Sequence, residues 1–176
     1  MTQEPQATQR KGLYGLKFFI AFLVFTILFM VLKTKYHFGI NEFTESLPDL
    51  IFVVEKGNEF ERGNLVEFSY KNKTDTPMKM YFEDGSLFIK QVIGMPGDDV
   101  NFKDGVFYIN GIEFGRAKEH AKDGKKLERN VTKTLGKDEY FVFTPHKDSF
   151  DSRYAYVGYI NKSQVVGKVV TSFWEK

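Results

Sequence analysis

The sequence predicts a mainly β, antiparallel domain behind one N-terminal membrane-spanning helix. Three observations carry this expectation: an unbroken apolar run near the start, short alternating runs after it, and Asp-Gly and Asn-Gly pairs between those runs. With 176 residues there is room for one anchor and one domain with its own core, and hardly for two folded domains.

Residues 13–32 read LYGLKFFIAFLVFTILFMVL, 20 residues in which Lys17 is the sole charge. At helical rise this run spans about 30 Å, the thickness of a bilayer's hydrocarbon core. It is apolar all round, whereas a helix packed on a soluble core shows one apolar stripe. Lys17 lies one turn from its start, where a long stem lets the ammonium reach the headgroups. A cleaved signal peptide is the alternative. The run is longer than a usual signal core, however, and Lys33-Thr34-Lys35-Tyr36 follows it in place of a small-x-small site. Arg10 and Lys11 precede the run and Lys33 and Lys35 follow it, so charge alone leaves the orientation open. The expected division is a tail at 1–12, an anchor at 13–32 and a β-rich domain at 33–176.

Strands are expected at 65–70, 86–93, 100–103, 106–110, 112–114, 140–143 and 165–173, about eight in all, from alternation and turn signals. Asp104-Gly105 and Asn110-Gly111 favour the positive φ angles of two-residue hairpins. Phenylalanine and tyrosine supply much of the burial, which implies a sheet-on-sheet or barrel-like core. Residues 115–137 are polar and rich in Lys and Arg without a sustained period, and read as an exposed excursion.

Of the 25 basic residues five, and of the 23 acidic residues one (Glu4), precede residue 36, which leaves 20 against 22 in the rest of the chain. That near-neutral balance lacks the concentrated positive surface that phosphate recognition needs, so nucleic acid is not expected as a partner. The chain has no cysteine, which excludes disulfides and thiolate catalysis and, with His37, His120 and His146 out of ligand spacing, gives no sign of a metal site. No cofactor is expected.

Three polar clusters carry candidate chemistry. Asn41-Glu42-Phe43-Thr44-Glu45-Ser46-Leu47-Pro48 follows the apolar run, and Pro48 holds Leu47 extended just after the serine. By itself this is an ordinary Ser-x-Pro loop. In Leu87-Phe88-Ile89-Lys90-Gln91-Val92-Ile93, strand alternation puts Lys90 on one face with Phe88 and Val92. An ammonium among apolar neighbours is desolvated and its pKa falls, so a neutral amine becomes available to take a proton from a serine hydroxyl. A lysine at the rim of an edge strand is the plain alternative. Asp148-Ser149-Phe150-Asp151-Ser152-Arg153-Tyr154 offers short polar groups and an arginine two residues from a carboxylate, a pair able to brace a turn.

The anchor, the Ser-x-Pro, the Arg-Gly-Asn-Leu-Val-x-Phe stretch at 62–68, the Phe-Ile-Lys-Gln-Val-Ile-Gly-Met-Pro-Gly-Asp stretch at 88–98 and Asp151-Ser152-Arg153 follow one another in an order that resembles the type I signal peptidases. The resemblance runs from the anchor to Val170, and the lysine box is its most specific part. It implies a signal-peptidase-like antiparallel β fold and a serine endopeptidase with Ser46 as nucleophile and Lys90 as general base. It further implies an oxyanion hole from Thr44 and the Ser46 backbone, Ser149 orienting the lysine, and Asp151 with Arg153 bracing the site. The implied setting is the bacterial inner membrane, crossed once, with residues 1–12 cytoplasmic and the catalytic domain on the periplasmic or extracytoplasmic side. The implied partners are the membrane and a precursor protein.

The short chain and the form Asn41-x-Thr-x-Ser46-x-Pro48 are most similar to the conjugative-transfer branch of the TraF type, which implies a prepilin substrate. Leu47 stands where the housekeeping enzymes carry Met, Leu50 replaces a glycine and Gln91 an arginine. Phe143-Thr144-Pro145 occupies the place of Gly-Asp-Asn. These departures leave every catalytic group in place and point to a specialised substrate. A general preprotein peptidase, a single-pass β scaffold that has kept the fold without the chemistry, and a Ser/Lys autoprotease similar to the repressor-cleavage enzymes are the other readings.

Overall fold

The computed structural model describes residues 6–40, 46–74 and 82–175. The chain divides into two compact units, Met1–His37 and Phe38–Lys176. In the first, α1 runs over Gln6–Lys35. It extends past the predicted run at both ends because nothing between Gln6 and Lys35 forbids helical φ and ψ, and Lys33 and Lys35 sit in the last turn, where cations suit the helix dipole. Thr26 and Thr34 donate their hydroxyls to the carbonyls of Phe22 and Val31, so both hydroxyls are satisfied within the helix. Tyr14–Lys35 is long and apolar enough to cross a membrane, and none of it is buried.

The described strands are β1 (Tyr36–Ile40), β2 (Asp49–Lys56), β3 (Leu65–Ser69), β4 (Leu87–Gly94), β5 (Asp99–Lys103), β6 (Val106–Ile109), β7 (Ile112–Arg116), β8 (Lys133–Thr134), β9 (Glu139–Phe143), β10 (Ile160–Asn161) and β11 (Val165–Glu175). They form a seven-stranded sheet in the order β1-β2-β11-β3-β4-β9-β10 and a four-stranded sheet in the order β7-β6-β5-β8. The expectation of about eight strands is therefore an undercount. β2, Asp-Leu-Ile-Phe-Val-Val-Glu-Lys, lacks the polar alternation that marks a half-buried strand, and β8 and β10 have two residues each.

The hairpins form as their dipeptides predict. Asp104 and Gly105 have φ of 51° and 84°, Asn110 and Gly111 49° and 80°, so each pair turns the chain within two residues. Lys103 then faces Val106 and Ile109 faces Ile112.

β4 and β9 lie between two cores, so each carries apolar side chains on both faces. Val92, Tyr140 and Val142 join Val66, Phe68, Tyr70 and Ile160 on one side. Ile93, Phe141 and Phe143 join Val100, Phe107, Ile109 and Leu135 on the other. The predicted excursion at 115–137 is not wholly solvated: Ala117 and Leu135 are buried and Leu127 packs on the second core. These anchors stand ten and eight residues apart in the sequence, too widely spaced to register as a period.

β11 bridges the sheet by pairing with β2 along one edge and β3 along the other, with register shifts near Gly167 and Val169. A Cβ on Gly167 would lie 2.3 Å from the Glu55 carbonyl oxygen, so only glycine lets the two backbones approach this closely. Gly167→Ala is expected to destabilise the domain by about 1–3 kcal/mol, read as a lower denaturant midpoint at unchanged slope.

Candidate active site

β3 and β4 place Lys90. Their register sets Val66 opposite Lys90 and Phe68 opposite Phe88, so the lysine emerges on the face that carries the first core. It is only 5% exposed. Burial is the main cause of a pKa brought down from 10.5 to about 8; the Asp151 carboxylate opposes the fall and the Arg153 guanidinium assists it. The strand alternation read from the sequence thus delivers the desolvated amine it promised.

Ser46 lies in a turn, half-buried, three residues before β2 begins at Asp49. Its Oγ accepts a hydrogen bond from Lys90 Nζ at 2.9 Å, across 44 residues of chain. When the amine is neutral, the same contact allows the reverse polarity, with the hydroxyl donating to the nitrogen lone pair. That is the geometry a general base needs toward a weak oxygen nucleophile. Leu50 sits within β2, and its φ is not among the positive ones, so its backbone does not require a glycine. Thr44 lies outside the described residues.

Asp151 and Arg153 form a buried pair, 0% and 2% exposed at their side chains. Arg153 Nε donates to Asp151 Oδ1 at 2.8 Å and Nη2 to Oδ2 at 3.0 Å, a bidentate fork. Its remaining donors reach the carbonyls of Arg116 at 3.0 Å, His146 at 3.1 Å and Ser149 at 3.2 Å. The guanidinium also stacks 4.8 Å from the Phe143 ring centre. One arginine therefore ties β7, β9 and the loop after β9 together, and the loop carries Ser149. The Ser149 hydroxyl bonds to Thr144 Oγ1 at 2.5 Å, while the Thr144 amide donates to Asp151 Oδ2 at 3.3 Å. Ser149 is thus brought to the Asp151 brace, and the bond its hydroxyl makes is to Thr144.

The turn after β4 is held by side chains from both the 62–68 and the 88–98 stretches. Met95-Pro96-Gly97-Asp98 closes through Asp98 N to Met95 O at 3.0 Å, with Gly97 at φ 89°, as a turn with proline then glycine in its middle demands. The Asp98 carboxylate caps the turn by accepting from Met95 N at 2.7 Å and from Asn110 Nδ2 at 2.8 Å. Arg62 forms an ion pair with it at 2.7 Å and also donates to the Ile93 carbonyl. Burial works against the charge of Asp98, but Arg62, the Met95 amide and Asn110 prevail and hold its pKa below the ordinary value. Gly63 N donates to Val92 O at 2.7 Å and Val92 N to Asn64 O at 2.9 Å, so the 62–64 turn grips β4 just beyond Lys90. The two motifs at 62–68 and 88–98 are one mechanical unit.

The sheet pair holds a buried lysine against a serine, and the family model described as "Signal peptidase, peptidase S26" matches residues 13–174. The chain belongs to that family. Among its relatives, "Signal peptidase I P" of Bacillus subtilis subsp. natto is 30% identical over 65% of this chain and 60% of its own length. "Signal peptidase IB" of Staphylococcus aureus strain COL is 27% identical over 88% of this chain and 85% of its own. The chain thus spans less than two thirds of the Bacillus relative. A signal peptidase I structure from Enterococcus faecalis V583 matches at 24% identity over 64% of this chain and 97% of that one, with a TM-score of 0.39.

Proposed function

We propose that the protein is a membrane-anchored serine endopeptidase that cleaves precursor proteins. Ser46 attacks the scissile carbonyl and Lys90 takes its proton. The observation that carries this reading is the 2.9 Å contact between Ser46 Oγ and a lysine whose pKa burial brings to about 8. The attack forms a bond from Ser46 Oγ to the carbonyl carbon and moves the hydroxyl proton to Lys90 Nζ. The resulting ammonium then protonates the departing amine, and water released onto the acyl-enzyme by the same base frees the product. Thr44 and the Ser46 amide are the proposed oxyanion donors. Asp151 and Arg153 fix the loop behind Lys90, and Ser149 orients the amine once its hydroxyl turns from Thr144.

β9 pairs with β4 at Gln91, Val92 and Gly94. Among the described residues that leaves the same edge over 87–90 uncovered, a place for the precursor to add as an extended strand leading to Lys90. With α1 across the membrane, the domain works at the membrane surface on the extracytoplasmic side, where precursors emerge.

The narrower reading, a conjugative pilin as substrate, rests on the form of the 41–48 segment and on Leu47, Leu50 and Gln91. A general preprotein peptidase fits the same site and the names of the relatives. Detergent-solubilised protein should cleave a secretory preprotein, and Ser46→Ala should not. Cleavage of prepilin at more than about tenfold the kcat/KM of the preprotein would support specialisation.

Because the base must be neutral, kcat/KM is expected to fall about tenfold per unit as pH drops below about 8 and to level off above it. A pH-rate profile checks this, and a limb centred below pH 6 would contradict the assignment.

A further inference from the structure

The edge of β4 left uncovered over 87–90 has two unlike faces. Leu87 and Ile89 alternate along it with Phe88 and Lys90, so successive residues of an added strand meet one pair and then the other. On the side of Leu87 and Ile89 the room is limited by β1. A Cβ on Gly39 would lie 3.4 Å from Ile89 Cδ1, so that strand packs against the isoleucine at van der Waals distance.

On the Lys90 side Phe88 belongs to an aromatic shelf. Phe82, in the segment just before β4, meets Phe88 edge-on at 4.8 Å and stacks on Phe150 at 5.1 Å. Phe150 stands between Ser149 and Asp151, in the loop that is fixed behind Lys90. All three rings are half-buried, whereas Tyr70, 5.2 Å from Phe88, is sealed at 1% exposure. Water therefore still reaches the shelf, and a side chain of the substrate can as well. Single exposed apolar residues need no explanation, but contiguous apolar surface beside a catalytic pair is where ligands bind.

We propose that Phe82, Phe88 and Phe150 form a specificity site that takes a large apolar or aromatic side chain of the precursor two residues before the cut. The inference rests on the peptidase reading above and deepens it. A precursor strand that leads along 87–90 to Lys90 lays the residues ahead of the scissile bond over Leu87, Phe88 and Ile89. In a small-x-small site the two small residues share one face of the extended chain, and x takes the other. The side narrowed by β1 suits the small pair, and x then falls on the rings. Phe88 is two residues before Lys90, about 7 Å along the strand, close to the reach from the scissile carbonyl to x. An apolar x leaves water for the shelf, while a polar x gives up hydration against apolar rings. That contact is the same in ground and transition states, so it acts mainly on KM.

The test uses the full chain in detergent and three peptides that differ only at x, with Ala-Phe-Ala, Ala-Leu-Ala or Ala-Asn-Ala before the same cut. Wild-type kcat/KM should be about tenfold higher with Phe or Leu than with Asn, mostly through KM. In Phe82→Ala that ratio should fall below about threefold, with Phe82→Leu between the two. Because each ratio is taken on one sample of enzyme, partial unfolding of a variant cancels from it. Equal kcat/KM for the three peptides with the wild type overturns the proposal, as does a tenfold preference that both variants retain. Failure of the wild type to cleave any of the peptides in a Ser46-dependent way would instead remove the peptidase reading, and this proposal with it.

Discussion

Lys90→Ala is expected to lower kcat by roughly 10²–10⁴-fold, the range that a positioned general base contributes. The serine hydroxyl stays protonated at neutral pH, and its contact at 2.9 Å is with this amine. Ser46→Ala should bring the rate to the same floor. The double variant should be no slower than either single one, because groups that act as a unit lose their effect together. Folding should survive in each case. A lysine 5% exposed is held against the cost of desolvating its charge, so Lys90→Met, close in volume, should unfold at the same temperature as the wild type or a higher one. Steady-state kinetics beside thermal melts separate lost chemistry from lost structure. A Lys90→Met protein that melts like the wild type and cleaves at its rate would remove the lysine from the mechanism.

Arg153→Met should act on the fold. It strips a buried carboxylate of its partner and leaves three carbonyls without the guanidinium. Breaking a buried ion pair from one side costs about 3–5 kcal/mol, a large part of the stability of a domain this size. Denaturant unfolding should show that loss. Adding Asp151→Leu should recover a good part of it, since the uncompensated charge is then gone. In the reverse single change, Asp151→Asn removes the anion that raises the pKa of Lys90, so the acid limb of activity should move below about pH 8. A limb that moves to higher pH would show that the carboxylate acts on the amine in another way.

How much of this could be read from the chain follows from which contacts are local. Lys90 was legible because strand parity alone puts it with Phe88 and Val92, and the register with β3 confirms that face. The hairpins at Asp104-Gly105 and Asn110-Gly111 were legible because two residues determine them. Ser46 had no local mark, since its partner lies 44 residues away, and only the order of motifs singled it out. The Arg62–Asp98 clamp joins residues 36 apart, and the Thr144–Ser149 contact depends on how the loop after β9 folds back. β2 was missed because Ile51 and Val53, on the face opposite the buried Phe52 and Val54, are apolar as well, so the sequence shows no alternation.

The most direct measurement of the central claim is peptide mapping of the acyl-enzyme. Wild-type protein incubated with an activated ester of an Ala-x-Ala peptide and quenched in acid should carry the acyl group on Ser46, with labelling that rises through about pH 8 and vanishes in Lys90→Ala. An acyl group on another residue, or cleavage at the wild-type rate by Ser46→Ala, would contradict it.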